Sequence, residues 1–179
     1  MVFPNKRSQR MFTKVFLQKK IKHQNRPKTI SINDLILSIT QLNIAPSLII
    51  QNELYKSYAK VTNENKDNYE NFLSWSSTLI EDFNKIDQNL LSHSDFFSYL
   101  SSLHKLRSTF EEENAIIKRY DKFWSNLLEV YSSFSNSLKK RKLSTKGMCY
   151  RAATKKLDIY KNEHKKKSFV FCGFNALSK

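Results

Sequence analysis

Two triplets, Glu64-Asn65-Lys66 and Glu163-His164-Lys165, carry the residue types of the E-x-K half of a PD-(D/E)xK metal nuclease centre. That chemistry needs the triplet on a buried strand, after a turn that bears an Asp, so that carboxylates converge on one cation. Both triplets fall in polar loops or helix ends of a lysine-rich chain, and they read as chance matches. Asp82 and Asp87, a little over one helical turn apart, read as solvent-facing or salt-bridged groups on the exposed side of a helix. The histidines His23, His93, His104 and His164 are scattered without metal-ligand spacing, and Cys149 and Cys172 have no second pair, so they read as buried thiols rather than a zinc site or disulfide framework. No Ser/His/Asp grouping can be argued from spacing.

The cations carry a firmer signal. The chain of 179 residues has 31 Lys/Arg against 16 Asp/Glu, a net charge of +15. Residues 1 to 33 hold nine cations and no carboxylate, residues 34 to 138 nine against fourteen, and residues 139 to 179 thirteen against two. A uniform compositional bias does not leave an acidic middle between basic ends, and the pattern points to nucleic acid as partner. The expected DNA-binding set is Lys6, Arg7 and Arg10 near the start, the run Lys139, Lys140, Arg141 and Lys142, and Arg151. Arg7, Arg10 and Lys14 at i, i+3 and i+7 form one helical stripe. Such contacts go to phosphates and are indifferent to base sequence. The rival reading is a helical protein-protein interaction module that docks through its acidic middle.

Glycine usage excludes several enzyme classes. With only Gly147 and Gly173, the chain can encode no phosphate loop, no dinucleotide fingerprint and no nucleophile elbow, and no cofactor is expected. No apolar run reaches the ~18 residues of a membrane span, and the first ten residues are too polar for a signal peptide, so a cytoplasmic protein is expected.

The elements that position these residues follow from periodicity. Val2 to Pro4 reads as a strand end, and Asn5 caps a helix to about Ile21 with Met11, Phe12, Val15 and Phe16 on its apolar side. Lys28 to Ser31 reads as a second strand, and Ser31 with Asp34 as the cap of a helix that buries Ile32, Leu35, Ile36 and Ile39. Strand, helix and strand within some thirty residues is the size of a βαβ unit. From Asn43 the pattern turns to long helices: Pro46 at a first helical position, a packing face through Leu48, Ile49, Leu54, Tyr55 and Tyr58, and a hinge candidate at Thr62 to Asp67. Phe72, Trp75, Leu79, Phe83, Ile86 and Leu90 mark the next helix, Phe96 to Leu106 a shorter one. Ile116, Tyr120, Phe123, Leu127, Tyr131, Phe134 and Leu138 form one seam of a helix of roughly 27 residues. A helix over Lys146 to Glu163, a strand over Ser168 to Cys172 and a helix start at Asn175 complete the chain. The three strands are expected side by side and parallel.

Four blocks resemble one family. The run NFLSWSSTLIEDFNKIDQNL from Asn71 to Leu90, with Trp75, Asp82, Phe83, Ile86 and Asp87, is similar to the Trp and "DF-D-ID" segment of helicase-like PD-(D/E)xK nucleases of Bacteroidetes. Val2 to Arg7 resembles their "LP-KR" strand end, Phe123 to Arg151 their "FW…Y…F…GMLYR" helix pair, and Phe169 to Lys179 their "FxGFNALS" strand and turn. The chain departs from the pattern at Ser76, Thr145 and Lys146.

The resemblance implies an AddB/RexB-like helicase-nuclease subunit, which acts in double-strand break repair beside an AddA-type helicase and carries its nuclease domain at the carboxyl end. This chain would match a fragment of the amino-terminal helicase-like region. The implied fold is α/β and predominantly α, with a few short parallel strands of a superfamily 1 helicase-like (P-loop NTPase type) domain and a large helical insertion. Residues 1–42 would be the partial α/β unit, 43–165 the insertion and 166–179 the returning strand and helix start. The function so implied is non-catalytic DNA binding, with DNA and either an AddA-type subunit or the remainder of the parent protein as partners.

Overall fold

The computed structural model describes residues 1–19, 27–62, 67–108 and 115–175, with side chains described outside 104–122. Residues 63–66 of the hinge candidate, with the Glu64 triplet, lie outside these ranges, as does the helix expected beyond Asn175. Among the described residues the chain is predominantly helical, with seven helices and two short parallel strand pairs. It divides into two compact units, Met1–Leu42 together with Cys149–Lys179, and Asn43–Met148. The last helix, expected within an insertion reaching 165, thus belongs from Cys149 onward with the chain ends.

The first unit is organised on β1 (Val2–Phe3), which pairs in parallel with β2 (Ile30–Ser31) in the register Val2↔Ile30 and Phe3↔Ser31. On its other side β1 forms a parallel bridge from Val2 to Phe171, with Val2 N–H donating to the Val170 carbonyl at 2.8 Å and Cys172 N–H to the Val2 carbonyl at 2.9 Å. The three expected strands therefore meet side by side and parallel. Pro4 ends the first of them, because it has no N–H to extend the ladder.

Asn5 then caps α1 (Lys6–Gln18), its side chain accepting the Ser8 N–H at 2.8 Å. Only Phe12 and Phe16 turn inward: the Phe12 ring lies 5.1 Å from Phe3 and 5.4 Å from Phe16. Met11 and Val15, expected on the same apolar side, are 63% and 49% exposed. The cause is angular, since each precedes an inward Phe by one residue and is rotated from it by about 100°.

Ser31 caps α2 (Ile32–Thr40) reciprocally with Asp34, its hydroxyl accepting the Asp34 N–H at 3.2 Å and donating to the carboxylate at 2.7 Å. Leu35, Ile36 and Ile39 join Val2, Cys149 and Ala153 in one small core. The last two belong to α7 (Lys146–Glu163), which is also tied to α2 by Tyr150 Oη donating to Asn33 at 2.9 Å. Burial raises the Tyr150 phenol above its ordinary value of 10.0.

The second unit opens with a strand pair that periodicity did not indicate. β3 (Asn43–Ile44) and β4 (Leu143–Ser144) run parallel and occupy two residues each, too few for any alternation to register. Between them lie α3 (Ser47–Thr62), α4 (Tyr69–Gln88), α5 (His93–Ser108) and α6 (Ala115–Lys140). Leu127, Tyr131, Phe134 and Leu138 of the α6 seam are buried with Leu54, Tyr58, Phe72, Leu79, Phe83, Ile86 and Phe97. Fully burying one such Phe contributes roughly 1.5–3 kcal/mol. Trp75 packs edge-on against Tyr58, Phe72 and Phe123 at 5.5, 4.8 and 5.6 Å, so these rings are core. Pro46 stands just before α3, its carbonyl accepting the Ile50 N–H at 3.1 Å, and Leu48 is exposed rather than packed. Leu90 also differs from expectation: α4 stops at Gln88, and Leu90 sits beyond its cap at φ 55° with its side chain exposed.

Asp87 is the main departure in this unit. It is fully buried and not on the exposed side of α4. Tyr131 Oη and His93 Nε2 hold its carboxyl group. Its spacing from Phe83 is i, i+4, which places both on one helix face, whereas Asp82 lies one step round and is exposed. Gly147 approaches the same place on α4: its N–H donates to Asn84 Oδ1 at 2.7 Å, and a Cβ on it would lie 2.5 Å from the Asn84 carbonyl.

Candidate nucleic-acid interface

Because both chain ends enter one sheet, their charges gather in one unit. By sequence, the segments of the first unit carry seventeen Lys/Arg against three carboxylates and those of the second fourteen against thirteen. Among the described residues the excess is again larger in the first unit, which holds thirteen cations against three carboxylates.

Within it, the Asn5 cap fixes the rotation of α1. Lys6, Arg10 and Lys14, spaced by four, climb one face at steps of about 6 Å. They line an open groove of about 770 Å³ with Gln9, Thr13, Leu17, Gln18 and Asp34. Gln9 faces β2, its amide donating to the Thr29 carbonyl at 2.9 Å, which leaves the cations outermost. Lys6 Nζ lies 3.5 Å from Asp34 Oδ1 and is partly neutralised there. Arg10 and Lys14 are the other exposed cations of this groove; Arg7 is exposed beside it without lining it. Lys14 belongs to the helical stripe but not to the expected binding set, and it lines the groove beside Lys6 and Arg10.

Arg151 also belongs to this unit, half-buried on α7. The other cations of that helix fall outside the expected set. Lys156 donates to the Thr40 carbonyl at 2.8 Å and so satisfies the end of α2, while Lys161 pairs with Asp158 at 3.6 Å. Lys155 and the run Lys165, Lys166 and Lys167 are exposed and add to the basic surface. Their density in sequence is the signal that could have found them. The Glu163 triplet sits at the end of α7, not on a strand, and His164 Nδ1 lies 3.0 Å from the Tyr160 carbonyl.

The run Lys139, Lys140, Arg141 and Lys142 lies in the second unit, whereas Lys6, Arg7, Arg10 and Arg151 belong to the first. Its members do not act alike. Arg141 Nη1 lies 3.0 Å from Glu53 Oε1, a nearly buried carboxylate that also accepts from Lys56 Nζ at 3.0 Å. The Lys56 hydrogen bond holds the Glu53 carboxyl below its ordinary value of 4.5 against the opposing effect of burial, with help from the Lys56 charge, the Ser137 hydroxyl and Arg141. Arg141 is thus a pin between α3 and the turn after α6. Lys139, Lys140 and Lys142 remain exposed, the last at φ 55° in the turn that leads into β4.

The chain matches no known protein family, no curated protein and no solved structure. Among the described residues, no helix is long and apolar enough to cross a membrane.

Proposed function

We propose that this chain is a non-catalytic DNA-binding piece of an AddB/RexB-like helicase-nuclease, acting in double-strand break repair and recombination, and that it grips the phosphate backbone through its first unit. The observation that carries the reading is the gathering, among the described residues, of thirteen cations against three carboxylates on one small body, with Arg10 and Lys14 exposed along one helix. Surfaces of this kind bind polyanions by counterion release and without base readout.

The assignment to the helicase-like region draws support from where the resembling blocks fall. Val2 to Arg7 forms β1 and the start of α1, and Phe169 to Gly173 forms the extended segment bridged to β1. Phe83, Ile86 and Asp87 of the Asn71 to Leu90 block are core residues of α4, and Gly147 of the Phe123 to Arg151 block makes the close approach to Asn84. A parallel arrangement around β1 is compatible with a P-loop NTPase type of sheet. An AddA-type helicase subunit or the remainder of a parent protein would be the protein partner.

The test is the salt dependence of binding to random-sequence DNA. Several phosphate contacts give a log-log slope of about −0.9 per contact, so affinity should fall steeply between about 50 and 200 mM salt. A flat response would transfer the protein to the class of helical interaction modules.

A further inference from the structure

We propose that the extended segment at residues 169–172 is a docking edge for another polypeptide, which adds as a parallel strand and carries carboxylates on its amino-terminal side. This proposal does not depend on the nucleic-acid reading.

Phe169, Val170 and Phe171 are 40%, 50% and 57% exposed, three successive apolar side chains in an extended segment. Strands in parallel sheets are ordinarily covered, and an apolar edge without protection is a template for strand addition. The bridge to β1 uses the carbonyl of Val170 and the N–H of Cys172. Polar groups of successive residues alternate in direction along a strand, so the N–H and C=O of Phe171 point away from β1, toward the open side. An incoming strand would find there a donor and an acceptor in ladder geometry, with Phe169 and Phe171 on one face of the pleat and Val170 on the other.

Charge selects the occupant. Lys165, Lys166 and Lys167 are exposed and lead directly into the edge segment. In parallel pairing the amino-terminal residues of the newcomer lie beside those lysines, where Asp or Glu is attracted and Lys or Arg repelled. The same rule disfavours a second copy of this chain, whose edge belongs to a unit with thirteen cations against three carboxylates among the described residues.

The full-length protein is titrated into a labelled peptide of three Asp followed by alternating Val and Thr, and into the same peptide with the three Asp at its carboxyl end. The acid-first peptide should bind at least tenfold more tightly. Phe171→Pro removes the outward N–H and leaves the two bonds to Val2; it should weaken that binding at least tenfold without changing the circular dichroism spectrum. Since proline also restricts the backbone, a second variant alters exposed residues only: K165E/K166E/K167E should reverse the preference toward a Lys-first peptide. No binding of the acid-first peptide, equal binding of both orientations, or undiminished binding by Phe171→Pro would each overturn the proposal. A wild-type dimer that Phe171→Pro dissolves would overturn it in favour of a second copy.

Discussion

The phenol of Tyr131 lies 2.8 Å from one carboxylate oxygen of Asp87 and 2.9 Å from the other, so a single proton donor on α6 serves both oxygens of a fully buried group on α4. His93, the first residue of α5, adds Nε2 at 2.9 Å and lays its ring 4.2 Å from that of Tyr131. A buried carboxyl group must find such partners, and here α5 and α6 supply them. The cluster therefore fixes how α4, α5 and α6 meet.

Tyr131→Phe keeps the ring and removes the donor. Folding stability should drop by about 1.5–3 kcal/mol, read as a lower urea midpoint with an unchanged slope. A change within about 0.5 kcal/mol would mean that the hydrogen bond contributes no more than a surface contact.

Gly147→Ala sets two effects against each other. Helix propensity alone favours Ala by up to about 1 kcal/mol, whereas the new Cβ would stand 2.5 Å from the backbone oxygen of Asn84. Backbone cannot yield as a side-chain tip does, so the clash should win, with a net loss of about 1–3 kcal/mol in thermal or urea unfolding. A stabilised variant would contradict the close approach.

The Glu53 carboxyl is held below 4.5, so its contribution to stability is present above that value and is lost as pH falls through the lower folded-state value. The acid limb of a stability-pH profile should flatten in Glu53→Gln. Arg141→Ala should destabilise the protein at neutral pH by more than Lys140→Ala does, because it removes one of two cations from a nearly buried carboxylate. Equal small effects would make Arg141 an ordinary surface cation.

For nucleic acid, the double reversal R10E/K14E should weaken binding to random-sequence DNA and reduce the magnitude of the salt slope by about one unit for each phosphate no longer neutralised. Lys60→Glu, an exposed change in the nearly neutral unit, should do little. If both variants weaken binding alike, bulk charge alone governs affinity and the α1 groove is not the site.

Hydrolysis should be absent. With Mg²⁺ or Mn²⁺ added, purified protein should neither cut DNA nor turn over ATP above background, and an activity abolished by Glu163→Ala would refute this.

Much of the first unit was legible in the sequence. Asn5 and Ser31 are capping residues, and the short strand segments at residues 2–4, 28–31 and 168–172 could be placed beside turn signals. The α6 seam was equally plain, because Leu127, Tyr131, Phe134 and Leu138 repeat at helical intervals over several turns. What stayed hidden depends on partners distant in sequence. Nothing local distinguishes the buried Asp87 from the exposed Asp82 except its step from Phe83. Arg141 looks like its lysine neighbours until Glu53, from the far end of the unit, reaches it at 3.0 Å. The β3–β4 pair joins residues about one hundred apart, and two residues per strand leave no pattern. In the candidate site, the Arg10 and Lys14 stripe could be read directly, while the neutralisation of Lys6 by Asp34 could not.

The bridge from Val2 to Phe171 has a temporal side. During synthesis Val2 must wait until Phe171 has emerged, roughly 10–30 s later at ordinary elongation rates, before β1 has both its neighbours. Residues 43–148 form a contiguous unit and can close meanwhile. The basic body would then mature after the helical unit, so that a nascent chain not yet extended to residue 171 would carry a folded helical unit without a finished surface for a polyanion.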